Sequence, residues 1–268
     1  MEKRLGFIGA GHITEMILTK IIASGVIAPD GITVSDVDTE RLQWMEEQFS
    51  VKTTTDNRQA FLAGDVTFVC VQPRIVPAVV EDLRGISVDG KALLTIAAGV
   101  PMAVYESIGD SVGVMRALPN PPSQVGCAII PYAKNRHITP KMESLILEIL
   151  SLLGKCIPMH EDGISIVTSL SSPAPVFLFL DSMVEAGVLC GLSRPDSVQV
   201  AHQTVLGCLR LWESKEGKTF SDLIADASTP AGVSVESVYV MDCHAFRGTV
   251  KEAYLKGAER ARALSGGK

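Results

Sequence analysis

Between residues 4 and 118 the chain alternates short, nearly unbroken apolar runs with stretches whose apolar positions recur at helical spacing. The runs 4-RLGFIG-9, 32-ITVSD-36, 66-VTFVCV-71, 92-ALLTIA-97 and 112-VGVMRA-117 predict strands. They lack strict in-out alternation, which is the mark of a parallel sheet covered on both faces. The intervening 12-HITEMILTKIIASG-25 and 39-TERLQWMEEQF-49 predict amphipathic helices. Strand and helix in turn imply right-handed crossovers and a doubly wound α/β sheet of the Rossmann type.

Beyond Pro119-Asn120-Pro121-Pro122 the pattern changes. A short strand near 127–132, a helix over about 140–153 and 154-GKCIPM-159, read as the last strand, complete a dinucleotide-binding domain expected over 1–160. From 161 to 268 nearly everything reads as helix, a second domain. Its segment 173–192 is apolar on most faces, broken by Asp181 and Glu185. Such a helix must be covered, either by a second subunit, the reading favoured here, or within a monomeric bundle.

Candidate chemistry begins at the first strand-to-helix junction. Gly9 permits a tight turn, and Gly11 lets the backbone approach a pyrophosphate at a helix start, where free N–H groups and the helix dipole favour anions. The third small residue of such loops is here Thr14, which predicts a slightly spread helix–strand contact and a retained phosphate site. The second strand ends at Ser35-Asp36. An acidic group there accepts from the adenine ribose hydroxyls and repels a 2′-phosphate, so NADH is expected over NADPH, with Asp38 adding to the repulsion and Arg41 opposing it. The alternative is a solvated strand-end carboxylate. The segment 228-STPAGVSVES-237 places hydroxyls and backbone N–H groups at a helix start, as a carboxylate-binding nest or a plain helix cap.

Composition narrows the classes. The chain has 268 residues, 47% of them hydrophobic, and a net charge of -6 without a dense basic run, which argues against nucleic acid. Apolar stretches are interrupted by charge, Pro or Gly, and the N-terminus enters a strand directly, so neither a membrane span nor a signal peptide is expected. Six cysteines without a CxxC pair read as free thiols in a cytoplasmic protein, and five histidines without ligand spacing predict no bound metal.

Taken together and in order, 7-FIGAGHITE-15, Asn57 in 54-TTDNRQA-60, 69-VCVQP-73, 97-AAGV-100, 116-RALPNPP-122, 154-GKCIPMHED-162, 168-TSLSSPAPVF-177, 187-GVLCGLSR-194 and 228-STPAGVS-234 resemble the pyrroline-5-carboxylate reductases. That resemblance implies NAD(P)H-dependent reduction of a cyclic imine to proline. It also implies a Rossmann domain followed by an all-helical domain that interlocks with a second subunit, as a homodimer or higher homo-oligomer. By position, Gly9, Gly11 and His12 would bind pyrophosphate, Asn57 the adenosine part, and Val71, Gln72, Pro73, Ala97, Ala98 and Gly99 the nicotinamide ribose. Thr229 and Ser234 would take the substrate carboxylate and ring nitrogen.

The chain departs from the family at His12 for Asn, Thr14 for Ala or Gly, Gln72 for Lys, 171-SSPAP-175 for Ser-Gly-Ser-Gly-Pro, and Ala231 for Gly. The last two changes fall where substrate should lie. A paralogous reductase of another cyclic imino acid and a catalytically silent NAD(P)-binding regulator are therefore the competing readings. A hydroxyacid dehydrogenase would need a catalytic lysine on the long helix, and 173–192 contains none.

Overall fold

The computed structural model describes residues 3–264, so the outermost positions of both expected domains lie outside the described residues. The described chain separates into two compact units, one of residues up to Ser171 together with the end of the chain from Gly257, the other Ser172–Lys256.

The first unit carries eight strands: β1 (Leu5–Ile8), β2 (Ile32–Ser35), β3 (Lys52–Thr54), β4 (Val66–Val69), β5 (Ala92–Thr95), β6 (Gly113–Ala117), β7 (Ala128–Lys134) and β8 (Gly154–Pro158). They form one sheet in the order β3-β2-β1-β4-β5-β6-β7-β8. Neighbours are parallel, save for the antiparallel pair β6/β7. Between and beside the strands run α1 (His12–Ser24), α2 (Thr39–Phe49), α3 (Asn57–Ala63), α4 (Val76–Leu83), α5 (Met102–Glu106), α6 (Pro140–Ser151) and α7 (Glu161–Leu170).

The unbroken apolar strands have the consequence expected of them. Every residue of β1, β4, β5 and β6 is buried, and successive residues feed opposite faces. Leu5, Phe7, Phe68, Leu94 and Met115 join Ile17, Leu18 and Ile149 in one core. Ile8, Val69, Leu93 and Val114 join Phe61, Val80, Leu83 and Tyr105 in the other. Phe7 and Phe68 stack across adjacent strands with ring centroids 4.8 Å apart, tying the middle of the sheet.

β3 is the strand that periodicity misses. Its three residues, Lys-Thr-Thr, are polar and none is fully buried, because it is the sheet's edge and pairs with β2 alone.

The second unit is built from α8 (Pro173–Leu189), α9 (Arg194–Glu213), α10 (Phe220–Ala227), α11 (Val233–Cys243) and the beginning of α12 (Phe246–Leu264). Its packing is thin. Val184 is the buried residue of α8, and α10 and α11 bury none among their described residues. Phe177, Leu178, Leu189, Val233 and Tyr239 are each about two-thirds exposed or more. By length and composition alone, Glu161–Leu189 would also qualify to cross a membrane, although Ser171 and Ser172 divide it into two helices.

Candidate active site

A parallel sheet presents its ligand-binding groups beyond the carboxyl ends of its strands, at the point where strand order reverses. Here that point lies between β1 and β4, and four junctions meet there: Gly9 after β1, Asp36 after β2, Cys70 and Val71 after β4, and Ile96 and Ala97 after β5. Gly9 sits at φ 101°, and a Cβ on it would lie 2.9 Å from the Cys70 carbonyl oxygen, so glycine is required. Gly11 is different. It is the N-cap of α1, no side chain caps that helix, and nothing lies within 4 Å of where its Cβ would be. The bare helix start opens outward, as an anion site needs.

Thr14 does not block that site. It is fully buried and turns its hydroxyl back to donate to the Gly9 carbonyl oxygen at 2.5 Å, so the helix–strand contact is bridged by a hydrogen bond. Burial pushes the neighbouring Cys70 thiol up to about 12, against a smaller opposing pull from its hydrogen bond with Thr14.

At the end of β2, both oxygens of Asp36 already accept backbone hydrogen bonds. Its Oδ2 accepts from the Ala10 N–H at 2.6 Å and its Oδ1 from the Asp38 N–H at 3.1 Å. Ser35 is buried and donates to Asn57 Oδ1 at 2.8 Å, while Asn57 Nδ2 donates to Asp82 Oδ2 at 2.9 Å. Asn57 thus ties β2 to α3 and α4, a brace beneath the position the resemblance gives it. His12 projects into solvent at the first turn of α1, its Nδ1 3.6 Å from Glu15 Oε2.

The positions that the resemblance gives to the nicotinamide ribose border a loop held at both ends. Gln72, Pro73 and Ala98 are exposed, Val71 and Gly99 half-buried and Ala97 buried. In front of the loop, Thr95 Oγ1 accepts from the Ala97 N–H at 3.2 Å and shares a 2.6 Å hydrogen bond with the Tyr105 hydroxyl. Burial pushes that phenol up to about 12, with the Thr95 bond and the Arg116 charge pulling less strongly the other way. Behind the loop, Glu161 Oε1 accepts from both the Met102 N–H at 2.8 Å and Arg116 Nη1 at 3.0 Å. Arg116 is 4% exposed and its Nε has no partner, so Glu161 is the neutralising charge for a buried cation. Sequence reasoning carries Arg116 only within 116-RALPNPP-122 and gives no role to Tyr105 or Glu161. Both are single residues in unremarkable helical patterns, 10 and 59 positions from the groups they hold.

In the second unit, Thr229 and Ser234 flank the turn between α10 and α11. The Gly232 N–H donates to the Thr229 carbonyl oxygen at 3.0 Å, and a Cβ on Gly232 would meet Thr229 Oγ1 at 2.5 Å. Gly232 caps α11 without a side-chain bond, leaving that helix start open as well. Ala231 sits at φ 58°, the left-handed region that favours glycine. Pro173 stands in the first turn of α8, where a missing N–H and a fixed φ cost nothing.

Two families account for both parts of this arrangement. Residues 4–99 match the family described as NADP oxidoreductase coenzyme F420-dependent, and residues 161–264 match pyrroline-5-carboxylate reductase dimerisation. The pyrroline-5-carboxylate reductase of Corynebacterium melassecola is 30% identical over 266 residues, covering 97% of this chain and 98% of its own. That of Methanosarcina acetivorans is 28% identical, covering 98% of each. The solved pyrroline-5-carboxylate reductase of Coxiella burnetii superposes with a TM-score of 0.88 at 28% identity, over 99% of both chains. With a nucleotide-type loop, a helical dimerisation segment and end-to-end likeness to such enzymes, this chain belongs to the pyrroline-5-carboxylate reductase family.

Proposed function

We propose that the protein reduces 1-pyrroline-5-carboxylate to proline with NAD(P)H, NADH being the preferred donor. The observation that carries this reading is the likeness to reductases of that name along the whole chain, through both the nucleotide-binding and the helical halves. The residues fit the cofactor: a bare helix start under an open Gly11 suits a pyrophosphate, and a fixed carboxylate at the end of β2 suits a ribose diol.

When bound, the cofactor would supply a hydride for the carbon of the protonated imine, whose nitrogen keeps its proton in the amine product. The chain's own task is placement, since a protonated imine is already electrophilic. Gly9, Gly11 and His12 take the pyrophosphate, and Ser35, Asp36 and Asn57 form and brace the adenosine end. Val71, Gln72, Pro73, Ala97, Ala98 and Gly99 border the nicotinamide ribose, on a loop that Thr95 and Glu161 hold at either side. Thr229 and Ser234 serve as hydrogen-bonding groups for the substrate carboxylate and ring nitrogen.

The working form is a homodimer or a larger assembly of dimers, because the apolar faces of α8, α10 and α11 are too exposed to stay in water. Six free cysteines suit a reducing, cytoplasmic setting.

Ala231 keeps, at φ 58°, the left-handed backbone that the family's glycine would take there, which supports the five-membered substrate of the relatives. The experiment follows NADH oxidation at neutral pH with pyrroline-5-carboxylate and then with its six-membered homologue. Faster turnover of the five-membered imine is expected. Preference for the larger ring would move the assignment to a paralogous reductase, and NADH binding without turnover of either would leave a silent nucleotide-binding protein.

A further inference from the structure

Glu15 has no role in any of the foregoing, yet it organises the charges around the adenosine end. Its Oε2 accepts from Arg41 Nη2 at 2.5 Å. The same guanidinium donates through Nε to the Ala10 carbonyl oxygen at 2.7 Å and lies 4.1 Å from the centroid of the Trp44 ring. Two edges and one face of Arg41 are therefore committed, and the planar fork cannot turn elsewhere without giving up a charge-assisted bond. The Ala10 N–H is meanwhile held by Asp36. Residues of the β2–α2 segment grip the Gly9-Ala10-Gly11 turn from both sides, one by its N–H and one by its carbonyl.

We propose that Glu15 is a specificity-determining residue for the cofactor: by holding Arg41 on the Ala10 carbonyl it withholds that cation from the 2′-phosphate of NADPH. The inference rests on the NADH reading above and supplies its mechanism. With Arg41 engaged, the turn after β2 offers an incoming 2′-phosphate the carboxylates of Asp36, Asp38 and Glu40. Asp36 cannot withdraw either, since moving it frees the Ala10 and Asp38 N–H groups. Discrimination then depends on a residue of α1 that never touches the ribose. The imidazole of His12, the other group facing Glu15, lies 3.6 Å from the same oxygen and in solvent, so Arg41 at 2.5 Å is the nearer partner of that carboxylate.

The test measures ADP and 2′,5′-ADP binding to the full-length protein by titration calorimetry, for wild type, Glu15→Gln, Glu15→Ala and Glu15→Ala/Arg41→Ala. Wild type should bind ADP more tightly than 2′,5′-ADP. Freeing Arg41 from a half-exposed ion pair should strengthen 2′,5′-ADP binding by about fivefold in Glu15→Ala, less in Glu15→Gln, with ADP changed by less than about twofold. The gain should vanish in the double variant, because Arg41 is the agent. Equal weakening of both ligands in the Glu15 variants would make Glu15 a brace for the loop and overturn the proposal, as would a gain that survives loss of Arg41. Wild type binding 2′,5′-ADP as tightly as ADP overturns the NADH reading and this mechanism with it. Intact wild-type discrimination that Glu15→Ala leaves unchanged overturns the mechanism alone. Thermal melts of each variant show that the protein measured is folded.

Discussion

Ala231 tests whether this chain's departures from its family reshape the turn between α10 and α11 or are absorbed by it. Its φ of 58° places a Cβ against the following carbonyl, a strain of about 1–2 kcal/mol for a residue other than glycine. Ala231→Gly removes that strain but adds freedom to the unfolded chain, which costs about 0.4–1 kcal/mol. The difference is a net stabilisation of about 0.5–1 kcal/mol, or a rise in Tm of about 1–4 °C for a chain of this length at fixed protomer concentration. Because the backbone already holds the left-handed turn that Gly232 and Thr229 close, KM for the imine should change by less than about twofold. Ala245, at φ 54° between α11 and α12, provides the control. Ala245→Gly should stabilise by a similar amount and leave KM alone. Differential scanning calorimetry and steady-state kinetics on both variants read the outcome. A lower Tm for Ala231→Gly, or a tenfold fall in KM, would mean that alanine has bent the loop away from the glycine form, and the argument from its backbone would collapse.

Three further expectations follow from the same geometry. Glu161→Ala should leave Arg116 buried without a counter-charge, lowering stability by about 3–5 kcal/mol, whereas Glu161→Gln keeps an acceptor for the Met102 N–H and should retain more of the NADH affinity than Glu161→Ala in fluorescence titrations. Tyr105 and Cys70 both lose a proton less readily in the folded chain, because burial raises them to about 12 from 10 and 9. The folded state therefore binds more protons than the unfolded one above about pH 9, and the unfolding free energy from urea titrations should fall as pH rises, by up to about 1.4 kcal/mol per pH unit for each group between its unfolded value and about 12. Light scattering at micromolar concentration should give at least the dimer mass, and a monomer mass would contradict the account of the exposed faces of α8 and α11.

Which parts of the fold were legible follows from what each element buries. β1, β4, β5 and β6 are apolar at nearly every position because helices cover both faces, so composition alone marks them. β3 buries neither face fully and is recognisable only as the partner of β2. The reversal at β7 has the same origin: an antiparallel neighbour makes no different demand on Met115, Arg116 and Ala117 from a parallel one, so direction leaves no trace in those residues. The apolar helix α8 was visible at once. What covers it was not, because hydrophobicity shows that a surface must be buried without showing by what.

The site divides along the same line. Gly9, Gly11 and Asp36 are legible because a glycine turn after the first strand and an acid at the end of the second are what a dinucleotide site is expected to carry at those distances. The groups that hold those residues carry no such signature. Glu15 and Arg41 are 26 positions apart, as are Ala10 and Asp36, and Glu161 lies 45 positions from Arg116. Each is an ordinary charged residue on an ordinary helix or strand end until the sheet order brings it to the same edge. Preorganisation is therefore the part of the enzyme that sequence conceals. A substitution at Glu161 would leave the glycine turn intact while removing the acceptor of the Met102 N–H and the counter-charge of Arg116.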